Sequence, residues 1–200
     1  MTNQPLKIAC DVDGPMLDFF GTFTNFYNRR NRTNFSISQM KTYDFCKFLQ
    51  TTEEHKEQEM EEFYKSPLFR MLPIADYARE GLTLLRKKGA ELYVLTSRPN
   101  KVSRETISQI RFDFPDIFSK FHLTNGHGEG VRERKLDVCV KNGYTVIIED
   151  YAKEANECAE GGMKAILITK PWNADETLHK NVTRAEDLLK AAQYLIQNKT

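Results

Sequence analysis

Four short segments of this 200-residue chain carry side chains that phosphoryl chemistry can use: Asp11-Val12-Asp13-Gly14, Thr96-Ser97-Arg98-Pro99, Lys135, and Glu149-Asp150. Transfer of a phosphoryl group needs an in-line nucleophile, a cation against the equatorial oxygens and a proton donor for the leaving oxygen. Asp11 and Asp13 can supply two of these. Residues i and i+2 of an extended segment point to the same side, so both carboxylates can face one phosphate. A third acid, Asp150 or Glu149, makes the set an oxygen-rich site for Mg²⁺, which takes one or two carboxylates plus waters and substrate oxygens. The Thr96 hydroxyl can hydrogen-bond a phosphate oxygen, and Lys135 can offset the charge that clustered carboxylates and a phosphate would share.

Other polar residues read more plainly. Arg98 has two readings, a contact to phosphate or sugar and a solvated place in a surface loop. Gly126-His127-Gly128-Glu129-Gly130 follows no clear strand and lacks the Lys-Ser/Thr of a P-loop, so it reads as a flexible loop. His122, His127 and His179 have no recognisable triad partners, and His55 lies in the run from Glu53 to Glu59, which reads as a solvated helix face. Cys10, Cys46, Cys139 and Cys158 stand far apart with no CxxC spacing and read as free thiols, Cys10 and Cys139 inside apolar segments.

The acidic residues need elements that hold them. Leu6 to Asp13 is a short buried strand stopped by Gly14-Pro15, and three later runs have the same form: Glu91 to Thr96, Tyr144 to Asp150 and Lys164 to Thr169. Phe121 to Thr124 is a weaker fifth. Helical patterns lie between them, from Ala75 to Lys88 with Gly89 as the stop, from Val102 to Phe112, and from Leu136 to Asn142 with Gly143. Thr183 to Gln197 predicts a last helix. This alternation predicts an α/β fold, a Rossmann-like parallel sheet flanked by helices, with chemistry at the carboxyl ends of its strands. The stretch 17–73 has no strand-like run, is dense in aromatics and has a polar, acidic centre. It predicts a small helical cap inserted after the first strand, leaving 1–16 and 74–200 as the core domain and hinges near Gly14-Pro15 and Leu72-Pro73.

Composition sets outer limits. The chain is 40% hydrophobic and 28% charged, and its 29 basic and 28 acidic residues leave a formal charge of +1. That balance gives no footprint for a nucleic-acid polymer. No apolar run approaches the roughly 20 residues that cross a bilayer, and Met1 to Pro5 lacks the pattern of a signal peptide, so a cytoplasmic protein is expected.

The order of the four segments resembles the haloacid dehalogenase superfamily of phosphohydrolases over the whole core. The resemblance implies that Asp11 is a nucleophile forming an aspartyl-phosphate. Asp13 is implied as the acid for the leaving group, then the base for water, with its backbone carbonyl on the metal. Thr96 matches the second motif. Lys135 matches the third, being the cation of Arg132-Glu133-Arg134-Lys135 that directly precedes the apolar helix. Glu149-Asp150 matches the acidic fourth, with Asp150 the first choice as metal ligand and Glu149 the alternative. Pro15 stands where the superfamily often has Thr or an aliphatic residue, and it stiffens the turn.

Within the superfamily the chain looks most like the 5′(3′)-deoxyribonucleotidases, on Asp11 to Phe19, Thr96-Ser97-Arg98-Pro99 and Thr169-Lys170-Pro171-Trp172-Asn173. The resemblance implies a Mg²⁺-dependent phosphatase whose small-molecule substrate is a nucleoside monophosphate, with Thr96, Ser97, Arg98 and Lys135 toward the phosphate. Phe19, Tyr43 and Phe45 are candidate platforms for a base, although Phe19, Phe23 and Tyr27 also keep the spacing of a helical core. The alternatives are a phosphatase for another small ester such as a sugar phosphate, or a non-catalytic binding protein. A homodimer stays open.

Overall fold

The computed structural model describes residues 4–198, so Met1, Thr2 and Asn3 of the segment read for a signal peptide lie outside the described residues. The chain opens with β1 (Lys7–Cys10), passes through four helices, α1 (Phe19–Asn31), α2 (Phe45–Leu49), α3 (Glu53–Lys65) and α4 (Pro67–Arg70), and continues into α5 (Ala78–Lys87) and β2 (Glu91–Thr96). It then runs through α6 (Ser103–Asp113), β3 (Phe118–Leu123), α7 (Lys135–Asn142), β4 (Val146–Glu149), α8 (Ala152–Glu160), β5 (Lys164–Ile168), β6 (Val182–Ala185) and α9 (Leu188–Gln197).

The six strands form one sheet in the order β3-β2-β1-β4-β5-β6, all parallel. Parallel strands covered on both faces read as unbroken apolar runs. Ile8 to Cys10, Leu92 to Leu95 and Ile147-Ile148 are such runs, almost entirely buried. The strand order reverses between β1 and β4, and the carboxyl ends of strands at such a switch point border an open crevice. Asp11 follows β1, and β4 ends in Glu149 with Asp150 next, so the sequence-predicted acids face one another across that crevice.

Three expectations change. The fifth strand starts earlier, at Phe118, and joins the β2 edge. Helix α8, between Asp150 and Lys164, had not been anticipated; its Ala152, Ala155, Cys158 and Ala159 form a narrow buried stripe that lacks large apolar residues. The tail is not one helix from Thr183. Val182–Ala185 pairs with β5, and α9 begins only after Asp187, whose side chain accepts from Lys190 N. The short edge strand is only partly buried, which leaves little periodicity to read.

Between β1 and α5 the described elements are helical, and the two chain crossings that frame this insertion pair with each other. Leu17 bridges Ile74, Asp18 N donates to Pro73 O at 2.8 Å, and Ala75 N donates to Met16 O at 2.9 Å. The helices share an aromatic centre in which Phe19, Phe23, Tyr27, Phe63 and Phe69 are buried. Glu59 departs from the solvated face expected of its segment: it is buried and ion-paired with Arg30 at 2.6 Å. Two ring stacks join the insertion to the segments that follow β5 and β4, Phe20 on Trp172 at 4.2 Å and Tyr43 on Tyr151 at 3.9 Å between centroids. Among the described residues no helix is long and apolar enough to cross a membrane.

Candidate active site

Lys135 organises the acids. It is the first residue of α7 and is buried, and its Nζ donates to Asp11 Oδ1 at 2.7 Å and to Glu149 Oε1, and pairs with Glu154 Oε2 at 2.9 Å. A buried ammonium is tolerated only with such partners. Burial opposes the Lys135 charge, but Asp11, Glu149 and Glu154 outweigh it and hold its pKa above the ordinary range. Of the rival cations, Arg134 is exposed and occupied by Asp137, and Arg132 donates to Gly128 O.

The acids then diverge by environment. Burial raises the Asp11 carboxyl to about 6 against the pull of Lys135, with Asp13 adding to the rise. Burial likewise raises Glu149 and Asp150. Burial also works against ionisation of Glu154, yet Lys135 and surrounding hydrogen bonds hold it at about 2. Glu154 was missed in the sequence because nothing marks it apart from other helix-surface glutamates; its place four residues after Asp150 on α8 turns it to the site. Ser97 Oγ donates to Glu154 Oε1 at 3.1 Å, which ties that hydroxyl to the acid network.

The residues present fit a hard divalent cation. Asp11, Glu149 and Asp150 each place an oxygen within 4.8 Å of the others. Glu149 spends Oε1 on Lys135 and Oε2 on the Asp150 and Tyr151 backbone N–H groups. Asp150 is fully buried, and neither of its carboxylate oxygens has a hydrogen-bond partner among the described residues. A buried carboxylate without partners is costly unless a cation meets it. This distinction favours Asp150 over Glu149 as the open ligand. The chain approaches closely at Gly14, where φ is +98° and a Cβ would stand 1.9 Å from Asp150 Oδ2.

The other predicted residues are placed as follows. Asp11 Oδ2 accepts from Asp13 N at 3.0 Å, which closes a tight turn just beyond β1 rather than an extension of the strand. The Asp13 side chain is taken up by Arg98, and it stands apart from the three acids whose oxygens could share a cation. Arg98 is not a solvated loop residue; it is buried, because Asp13 and two aromatic rings close over it. Thr96 is buried at the end of β2, its Oγ1 accepting from Arg98 N at 3.3 Å. The glycine-rich segment follows β3 directly and is tied down, with Asn125 Nδ2 donating to Glu129 O at 2.7 Å and Asn125 Oδ1 accepting from Asn100 N. Cys10, Cys139 and Cys158 are buried free thiols and Cys46 is half-buried.

Beside Asp13 a cavity of about 200 Å³ opens between the insertion and the core. Phe19, Tyr43, Phe45, Tyr64, Arg98 and Lys101 are among its lining residues. All three predicted aromatic platforms reach it, although Phe19 also stacks on Phe23 within the helical centre.

The order and parallel pairing of the six strands give this chain the fold of solved haloacid dehalogenase-like proteins. A putative haloacid dehalogenase-like hydrolase from Bacteroides fragilis aligns with 94% of this chain and all of its own at TM-score 0.65 and 16% identity. A "predicted phosphatase" from Clostridium acetobutylicum aligns with 96% of this chain and 99% of its own at TM-score 0.66 and 15% identity. In sequence, "Putative nucleotidase YqfW" of Bacillus subtilis is 25% identical over 196 residues, 97% of this chain and 95% of that protein. No family model matches the chain.

Proposed function

We propose that this protein is a phosphomonoesterase in which Asp11 is the nucleophile. The observation that carries the reading is the placement of the Asp11 carboxylate between Lys135, 2.7 Å away, and the unpartnered Asp150, at the switch point of the sheet. An Asp11 oxygen attacks phosphorus and the ester P–O bond breaks, leaving an aspartyl-phosphate. Asp13 gives its proton to the departing alkoxide. Asp13 then takes a proton from water as that water attacks the same phosphorus, and inorganic phosphate leaves with Asp11 restored. Lys135 offsets the charge that accumulates around Asp11 during both steps. Mg²⁺ held by Asp11, Asp150 and the Asp13 backbone carbonyl would neutralise the phosphoryl oxygens.

The helices between residues 17 and 73 serve as a cap over this site. Nucleoside monophosphates are the substrates, with the base against the aromatic wall of the cavity, since stacking needs only a flat face and contributes about 1–3 kcal/mol per base. The aromatic lining and the name given to the B. subtilis relative support this choice. The test is phosphate release from deoxynucleoside and ribonucleoside monophosphates and from sugar phosphates, with Mg²⁺ and with EDTA. Mg²⁺-dependent release that favours nucleoside monophosphates and disappears in Asp11→Asn is expected. Release from sugar phosphates alone would keep Asp11 and discard the nucleotide, and release from none would overturn the proposal.

A further inference from the structure

Arg98 is held from three sides. Its Nε donates to Asp13 Oδ2 at 2.8 Å and its Nη2 to Asp13 Oδ1 at 2.6 Å, so one guanidinium engages both oxygens of that carboxylate. Its Nη1 donates to Thr106 Oγ1 of α6 at 3.1 Å. Its carbon lies 4.8 Å from the ring centroid of Phe69 on α4, with the Phe19 ring at 6.0 Å. Thr106 belongs to the core, whereas Phe69 and Phe19 belong to the cap. A planar guanidinium fixes a carboxylate only while its own plane is fixed, and stacking on a ring does this where a flexible ammonium would not.

We infer that Arg98 is a positioning residue through which the cap sets Asp13. With the cap seated, Phe69 covers the guanidinium, and the guanidinium holds the Asp13 carboxylate at the edge of the cavity. Both Asp13 oxygens are engaged by that one fork, so its seating fixes where the carboxylate stands relative to Asp11 and the cavity. The cap thereby controls the Asp13 side chain through Arg98. This inference rests on the acid–base reading of Asp13.

Phe69→Leu and Thr106→Val each remove one support of Arg98 while leaving both side chains of the ion pair. Each is expected to lower kcat about tenfold with KM within about twofold of wild type, the pattern of a misplaced acting group rather than of lost substrate contact. Each is also expected to speed hydrogen exchange at Arg98 Nε–H, followed by ¹⁵N NMR, by about tenfold, as the bond to Asp13 opens more often. Thermal unfolding checks that the variants are folded. Arg98→Lys keeps the charge without the fork and is expected to share the kcat loss. Wild-type kcat with unchanged exchange in Phe69→Leu overturns the inference, as does a loss confined to KM. Should the wild-type protein release phosphate from no compound tried, the proposed function fails while the exchange experiment still decides the clamp: unprotected Nε–H in wild type, or exchange indifferent to Phe69→Leu, overturns it.

Discussion

Lys135 Nζ stands 2.7 Å from Asp11 Oδ1, although 124 positions separate the two residues in sequence. The contact exists because β1 and β4 are neighbours in the sheet and α7 leads into β4, so the N-terminus of α7 comes back to the carboxyl end of β1. One ammonium thereby serves three carboxylates. Lys135→Met leaves them buried without a cation, and a loss of about 3–5 kcal/mol in stability is expected. Phosphate release should fall by about a hundredfold or more, since the charge around Asp11 is no longer offset. Urea unfolding and the release rate check both, and a variant as active as wild type would refute the assignment.

Asp150→Asn separates metal binding from folding. Neither carboxylate oxygen of Asp150 has a hydrogen-bond partner among the described residues, so the variant should unfold in EDTA no earlier than wild type. At Mg²⁺ one hundredfold above its Kd, ligand linkage stabilises wild type by about 2.7 kcal/mol, roughly 5–10 °C in Tm for a chain of this size. The variant should show no such shift. A full Mg²⁺ shift in Asp150→Asn would return the ligand role to Glu149.

Glu154 gives a pH dependence with a definite sign. Its carboxyl sits at about 2 in the folded protein against an ordinary 4.5, because Lys135 outweighs the effect of burial. The unfolded chain therefore binds the proton first as pH falls. The stabilisation is fully present above about pH 4.5 and is lost progressively toward pH 2. Glu154→Gln should accordingly be less stable than wild type at pH 6, by an amount on the order of 1–3 kcal/mol. The difference should shrink as pH falls through that window. A constant difference from pH 6 to pH 3 in chemical denaturation would show that the charge of Glu154 is not what stabilises.

Tyr43 tests the side of the cavity that the helical insertion lines. It stacks on Tyr151 and packs edge-on to Phe20, so one face of the aromatic wall depends on it. Tyr43→Ala should raise KM for nucleoside monophosphates about tenfold, which corresponds to the loss of one base–ring stack, and should change kcat little. A small phosphate ester without a base should be turned over as by wild type. Equal losses on both substrates would remove Tyr43 from base recognition.

The strands of the sheet centre were readable because each is a short β-branched or apolar run ended by polar residues, as β1 and β4 illustrate. The weakly patterned β6 was not, since an edge strand with one covered face carries few apolar residues. Helix α8 was hidden for a related reason: its buried side is made of alanines and a cysteine, small enough to let it lie close to the sheet. At the site, Asp11, Asp13, Thr96 and Asp150 were legible because their types fall at or just beyond strand ends in a fixed order, and Lys135 because it opens the apolar helix before β4. Glu154 and the burial of Arg98 were not, because both depend on what another element places beside them.

The sequence by itself determined the apolar runs, the stops at Gly14, Gly89 and Gly143, and the acids that follow β1 and end β4. These follow from local pattern and from the cost of leaving a strand's face in water. Only the tertiary structure decided how the acids divide their work. Glu149 is turned to Lys135 and two backbone N–H groups, the Asp150 carboxylate is left without a hydrogen-bond partner among the described residues, and Asp13 is taken by a buried arginine under a ring of the helical insertion. Like carboxylates acquire different roles from the charges and donors around them. Those neighbours come from strands and helices far apart in the chain, so no local stretch of sequence contains them.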